Sequence, residues 1–150
     1  MSSRRALAVS VTALALILAG GWVALALART PDDTTCANTV LEQLRSPDGA
    51  FRLVAFTRNC GATSGFSSQV SLLEPRESLP NEPGNAFIAD TDHGAAASDP
   101  GGGPKVRMLW VGPRAVSIEH DVSARVFRCE PRFQGVEIKC VHGSNEERTR

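Results

Sequence analysis

Ala50-Phe51-Arg52-Leu53-Val54-Ala55-Phe56-Thr57-Arg58-Asn59 is the stretch whose reading decides the fold. It is rich in β-branched and aromatic side chains, which suit a pleated strand. Leu53 to Phe56 is apolar on both parities, as expected of a central strand covered on both faces. Just upstream, Ser46-Pro47-Asp48-Gly49 reads as a turn, because proline presets position i+1 and glycine suits the turn's end. Downstream, Gly61 to Gly65 is a small-residue loop. Phe66, Ser68, Val70 and Leu72 then alternate with polar positions as a second strand.

Working outward, Thr39 to Arg45 reads as a strand or a short helix, with Val40, Leu41 and Leu44 fitting helical spacing better. Glu74 to Gly84 holds Pro75, Pro80 and Pro83 and is expected to be irregular. Asn85 to Asp90 is a short strand. Thr91 to Pro104, with Ala95-Ala96-Ala97 and Gly101-Gly102-Gly103, has little apolar surface to bury and is expected to be a mobile loop. Strands follow at Lys105–Val111, where Val106, Met108 and Trp110 share a parity, and around Val116 and Ile118. Ala124–Glu130 and Val136–Val141 are expected to form a last hairpin, with a bulge or irregular turn at Pro131. The fold class is therefore mainly β: a small antiparallel sandwich or open barrel, preceded by one N-terminal transmembrane or signal helix.

That helix is read from Ala6 to Ala28, a run without charge that is long enough to cross a bilayer. Arg4 and Arg5 precede it, so the positive-inside rule puts the N-terminus in the cytoplasm and the remainder outside. Its length favours a signal-anchor, while Ala26-Leu27-Ala28 offers a cleavage site and a secreted form. The chain divides into a helix at 1–28, a linker at 29–35, a β domain at 36–142 and a disordered tail at 143–150. Of the 16 basic residues, two precede the apolar run, leaving 16 − 2 = 14 against 16 acidic ones. That balance of −2 argues against nucleic acid.

All four cysteines, Cys36, Cys60, Cys129 and Cys140, follow the apolar run, where an oxidising compartment favours disulfides. Of the three connectivities, Cys36–Cys60 with Cys129–Cys140 is favoured, because each pair brackets an expected hairpin. No C-x₂-C pair points to zinc.

Two segments carry a resemblance. Ser46-Pro47-Asp48-Gly49 precedes a strand that ends in Asn59-Cys60-Gly61-Ala62-Thr63-Ser64-Gly65-Phe66, followed by Ser68-Gln69-Val70-Ser71. This resembles an uncharacterised family of small bacterial envelope proteins with an S-P-D-G turn and a C-G-A-T-T-G-F-x-T-Q-V-S-like segment. The likeness spans roughly Cys36 to Val141, and Ser64 stands where the family has threonine. It implies an envelope location and supports the Cys36–Cys60 bond; it implies no activity. The S-P-D-G turn is also similar to the opening of TolB-like propeller blades, but propellers need repeats and the motif occurs once.

Gly61-Ala62-Thr63-Ser64-Gly65 places its serine one position late for a nucleophile elbow, and a strand follows rather than a helix. Gly61, Thr63, Ser64 and Gly65 form the candidate ligand loop, suited to a small anion or a peptide carbonyl. His120 shares the parity of Val116 and Ile118 and reads as a structural strand-end residue. Asp90, Asp92 and Asp99 read as solvated loop charges. No catalytic residue, metal set or cofactor is assigned. The expectation is a non-enzymatic interaction or structural module of the bacterial envelope, held at the membrane by its N-terminal helix and meeting a protein partner there. The alternative is a small-ligand or anion-binding domain using the Cys60–Gly65 loop.

Overall fold

The computed structural model describes residues 36–61 and 64–143. The expected helix at 1–28, the linker at 29–35, Thr63 and all but the first residue of the tail lie outside the described residues. Among the described residues are nine strands: β1 (Ala37–Arg45), β2 (Arg52–Asn59), β3 (Phe66–Leu73), β4 (Phe87–Asp90), β5 (Val106–Gly112), β6 (Ala115–His120), β7 (Arg125–Cys129), β8 (Arg132–Phe133) and β9 (Val136–His142). They form a five-stranded sheet in the order β1-β2-β3-β4-β7 and a four-stranded sheet in the order β5-β6-β9-β8.

The chain is mainly β, and its core lies between the two sheets. Leu53, Ala55, Val70, Leu72, Phe87 and Ala89 from the first sheet meet Met108, Val116, Ile118, Val136 and Ile138 from the second. Trp110 packs against this core and donates its indole N–H to the Leu44 carbonyl at 3.3 Å. The two-sided burial expected of β2 holds. Val54 and Phe56 face the opposite side, where they cluster with Leu73 and Leu79. What covers that side is the proline-rich 74–86 segment, irregular as expected but tightly held. Gln69 Oε1 accepts the Gly84 N–H at 2.6 Å, and Asn85 Oδ1 accepts the Leu72 N–H at 2.8 Å. Asn81 donates to the Cys36 carbonyl at 3.0 Å. The buried Arg58 guanidinium donates to Asn38 at 2.8 Å and to Asn81 at 3.0 Å.

The Ser46–Gly49 turn is built as its residues dictate. Gly49 has φ +69° and donates to the Ser46 carbonyl at 2.9 Å. The Ser46 hydroxyl bonds the Asp48 carboxylate at 2.6 Å and accepts the Phe51 N–H at 2.9 Å. The Ser46 hydroxyl and then the Ala50 N–H hold the Asp48 carboxyl below its ordinary pKa.

Several expectations are corrected. Thr39–Arg45 belongs to strand β1, not to a helix. The apparent helical spacing has a local cause: Val40 pairs with Phe56 and Glu42 with Ala55, so Leu41 is the extra residue of a β-bulge. Residues directly opposite share a face, so the bulge sends Val40 to the outer face and Leu44, paired with Leu53, to the core.

Both disulfides pair as expected, Cys36–Cys60 and Cys129–Cys140. The second does not span a hairpin. β7 bonds to β4 in the first sheet, while β9 runs parallel to β6 in the second, so Cys129–Cys140 joins the two sheets. The parallel pair departs from an all-antiparallel sandwich because β7 lies in the crossover between β6 and β9. The true hairpin is β8–β9, turned by Gln134 (φ +48°) and Gly135 (φ +77°) between the paired Phe133 and Val136. The expected irregularity at Pro131 is the point where the chain leaves the first sheet for the second.

Residues 91–104 are not a loose loop. Ala96 and Pro104 are buried, and Ser98 bridges to Pro104. The glycines lie against the first sheet: a Cβ would fall 2.3 Å from Thr57 Oγ1 at Gly101 and 2.3 Å from Ser68 Oγ at Gly103. Glycine serves close approach here rather than freedom.

Candidate functional site

The loop after β2 is held by its own backbone. Asn59 Oδ1 accepts the Gly61 N–H at 2.9 Å, and the Ser64 N–H reaches the Gly61 carbonyl at 3.2 Å. Gly61 (φ +96°) and Gly65 (φ +66°) take left-handed conformations that explain glycine at both positions. The Ser64 hydroxyl points back to the Cys60 carbonyl at 3.5 Å. Of the candidate ligand loop, Ser64 and Gly65 line a cleft; Gly61 does not, and Thr63 lies outside the described residues.

The cleft, of about 380 Å³, is completed by Phe66, Asp90, Thr91, His93, Gly102 and Arg125. Strand register explains the grouping. Ser67 pairs with Asp90 across β3–β4, and Asp90 with Arg125 across β4–β7, so the loop residues meet at one end of the first sheet. Arg125 Nη2 and Nε bind the two Asp90 carboxylate oxygens at 2.5 and 3.2 Å, and Nη1 lies 3.6 Å from Asp92. Burial pushes the Asp90 carboxyl up, but bonds from Arg125 and from the Asp92 N–H outweigh it and hold the pKa below its ordinary value. The bond from Asp90 raises Arg125 further above its already high range.

A second bulge follows the cleft residue Arg125 along β7. Ile88 pairs with Arg128 and Ala89 with Val126, which leaves Phe127 as the extra residue on β7. Phe127 is 60% exposed, and its ring stacks 4.9 Å from the Arg125 guanidinium carbon. Phe66 is 47% exposed and lies over Gly102, where a Cβ would sit 2.7 Å from the ring. Asp92 (φ +46°), His93 (φ +57°) and Gly94 (φ +93°) are three consecutive left-handed residues, an uncommon backbone for the first two, and His93 among them lines the cleft.

No family model, curated protein or solved structure matches the chain. The cleft therefore rests on its own geometry. Sequence reasoning found Ser64 and Gly65 but missed Phe66, Thr91, His93, Gly102 and Arg125, and took Asp90 for a solvated loop charge. The signal that existed was the pair of glycines flanking the loop. Nothing local announces that Arg125 meets an aspartate 35 positions earlier.

His120 sits at the end of β6, 7% exposed, with Nδ1 2.9 Å from the Asp121 carbonyl and its ring 5.5 Å from Phe87 and 5.2 Å from His142. The Asp121 carboxylate accepts the Ser123 N–H at 2.8 Å. These contacts fit the structural role read for His120. Among the described residues, no three of His, Cys, Asp and Glu are arranged to hold a metal ion. The two disulfides fit an oxidising compartment.

Proposed function

We propose that the chain is a membrane-anchored extracytoplasmic module of the bacterial envelope that recognises another protein through the cleft between the β2–β3 loop and β7. One observation carries the reading: an exposed phenylalanine, Phe66, lines a preformed cleft together with Arg125, whose guanidinium lies over the ring of a second exposed phenylalanine, Phe127. Aromatic residues and arginine dominate interaction hot spots, because they combine large contact area with few rotatable bonds. The uncharged 6–28 run supports the anchor. The disulfides and the resemblance of the 59–71 segment to small envelope proteins support the location.

The alternative of anion binding at the Cys60–Gly65 loop is weaker. Arg125, the nearest cation of the cleft, already gives its donors to Asp90 and Asp92.

The test is site-specific photo-crosslinking with the full-length chain in a bacterial envelope. A photoreactive residue at Phe66 or Phe127 is expected to give a discrete adduct, and one at Lys139, on the far sheet, is not. Equal labelling from all three positions, or an adduct from Lys139 alone, rejects the cleft as the recognition surface.

A further inference from the structure

We infer that the Cys129–Cys140 disulfide is a thiol-exchange site, attacked at Cys129 by the thiolate of an external dithiol. Neither cysteine lines the cleft, so the inference holds whatever the cleft recognises. Access separates the two disulfides. Cys129 is exposed and ends the edge strand β7, all five of whose residues are exposed. Cys36 is only 8% exposed, and Cys60 is half-buried. Exchange proceeds by direct attack of a thiolate on one sulfur, so it depends on which sulfur can be reached, and exposed disulfides are the labile ones. The two cysteines of the second pair also differ from each other. Cys140 is half-buried and packs against the core between the sheets, whereas Cys129 faces solvent. Cys129 Sγ is therefore the sulfur attacked, and Cys140 Sγ is the leaving group.

Strand pairing sets what happens once a bond opens. Cys36 and Cys60 flank the first rung of the β1–β2 ladder, where Ala37 faces Asn59, and the Cys36 carbonyl accepts the Asn81 amide at 3.0 Å. That backbone pairing keeps the two sulfurs at high effective concentration, so an opened bond recloses. Cys129 and Cys140 lie on strands of different sheets that share no ladder. The attacking thiolate forms a mixed disulfide with Cys129. The Sγ–Sγ bond breaks, and its electron pair leaves on Cys140, which takes a proton from solvent. The second thiolate of the reductant then attacks the reductant's own sulfur in the mixed disulfide and releases Cys129 as a thiolate, protonated in turn. Two electrons pass to the protein, and the dithiol ends as a disulfide. The covalent link between the sheets is then gone.

The experiment uses the oxidised full-length chain in non-ionic detergent, with reduced glutathione as the probe. A monothiol quenched early with acid stops at the mixed disulfide, and alkylation followed by non-reducing peptide mapping places it on one cysteine. The expected early product carries glutathione on Cys129 and an alkylated Cys140, with Cys36–Cys60 intact. Its rate of formation is expected to rise about tenfold per pH unit below the pKa of the glutathione thiol, because the thiolate is the nucleophile. Dithiothreitol is expected to take the same bond to two free thiols while Cys36–Cys60 stays closed. Chain unfolded in urea serves as the reference in which both bonds are accessible. Opening of both bonds at one rate in the folded chain means that exchange passes through unfolding, and it overturns the inference. Cys36–Cys60 opening first overturns it too, as does a folded chain in which glutathione and dithiothreitol open neither bond while the urea reference opens both. Glutathione carried on Cys140 rather than Cys129 overturns the assigned point of attack.

Discussion

Gly103 decides between two pictures of the 91–104 segment, because they predict opposite signs for Gly103→Ala. In a mobile loop, alanine restricts the unfolded chain and raises stability by about 0.4–1 kcal/mol. In the packed arrangement, the new Cβ would lie 2.3 Å from Ser68 Oγ, 2.7 Å from the Ser68 amide nitrogen and 2.9 Å from the Ser67 carbonyl carbon. Two of these atoms belong to the backbone of β3, which is paired on both sides and cannot recede. Overpacking of this kind costs about 1–3 kcal/mol. The displaced Ser68 hydroxyl also loses its buried bond to the Pro104 carbonyl, 2.7 Å long, which adds roughly 1 kcal/mol. The expected net loss is about 2–4 kcal/mol, which lowers Tm on the order of 10 °C or more for a domain of this size.

Thermal and urea unfolding of the oxidised full-length chain in non-ionic detergent measure the effect. Gly112→Ala is the control: its nearest contact is the Ala115 Cβ at 3.7 Å, and stability is expected to stay within about 0.5 kcal/mol. Adding Ser68→Ala to Gly103→Ala removes the hydroxyl clash and leaves the backbone one, so rescue is expected to be partial. A Gly103→Ala protein with unchanged or raised Tm would refute the packed loop and restore the mobile one.

Thr57 Oγ1 is buried without a hydrogen-bond partner among the described residues, so Thr57→Val is expected to be neutral or to stabilise by up to about 1 kcal/mol in urea unfolding. Replacing both Cys129 and Cys140 with serine removes the bond between the sheets and is expected to cost roughly 2–4 kcal/mol, while non-reducing peptide mapping still recovers Cys36–Cys60. The Asp90 carboxyl titrates below its ordinary value in the fold, so its ion pair adds stability above about pH 4, lost as pH falls through the folded pKa. Urea midpoints of the wild type are therefore expected to fall more steeply than those of Asp90→Asn below pH 4; parallel curves would exclude that linkage.

Local chemistry was legible in the chain and long-range pairing was not. The Ser46–Gly49 turn is written in adjacent residues, and its bonds span no more than five positions. The double-sided burial of Leu53–Phe56 was equally plain, because no solvent face interrupts it. Strand parity is obscured where a bulge inserts a residue, as at Leu41, because one extra position reverses every face beyond it. The last hairpin failed for a different reason. Cys129 and Cys140 meet in space whether their strands share a sheet or lie in two, so the cysteines alone could not distinguish the cases. The glycine triplet was misread because composition cannot tell a glycine that is free from one pressed against a neighbouring strand.

The segment 59–71, the most distinctive in the chain, looks at first like a binding signature, and its contacts divide it into two jobs. Ser68 fixes Pro104. Gln69 Nε2 donates to Ser67 Oγ at 2.8 Å while its Oε1 holds the Gly84 N–H, and the Ser71 hydroxyl accepts the Asn85 N–H at 3.4 Å. These side chains seat the two long irregular segments on either face of the first sheet. Substituting them perturbs the platform, and any loss of binding that follows says nothing about contact with a partner. Ser64, Gly65 and Phe66 stand apart: they are exposed and line the cleft. Phe66 is the informative one to change. Its ring covers Gly102 from outside and contributes nothing to the core between the sheets. Phe66→Ala should therefore strip recognition with little cost to the sandwich. A fall in stability as large as the one expected for Gly103→Ala would instead make Phe66 part of the loop's packing, and the cleft would lose its strongest contact surface.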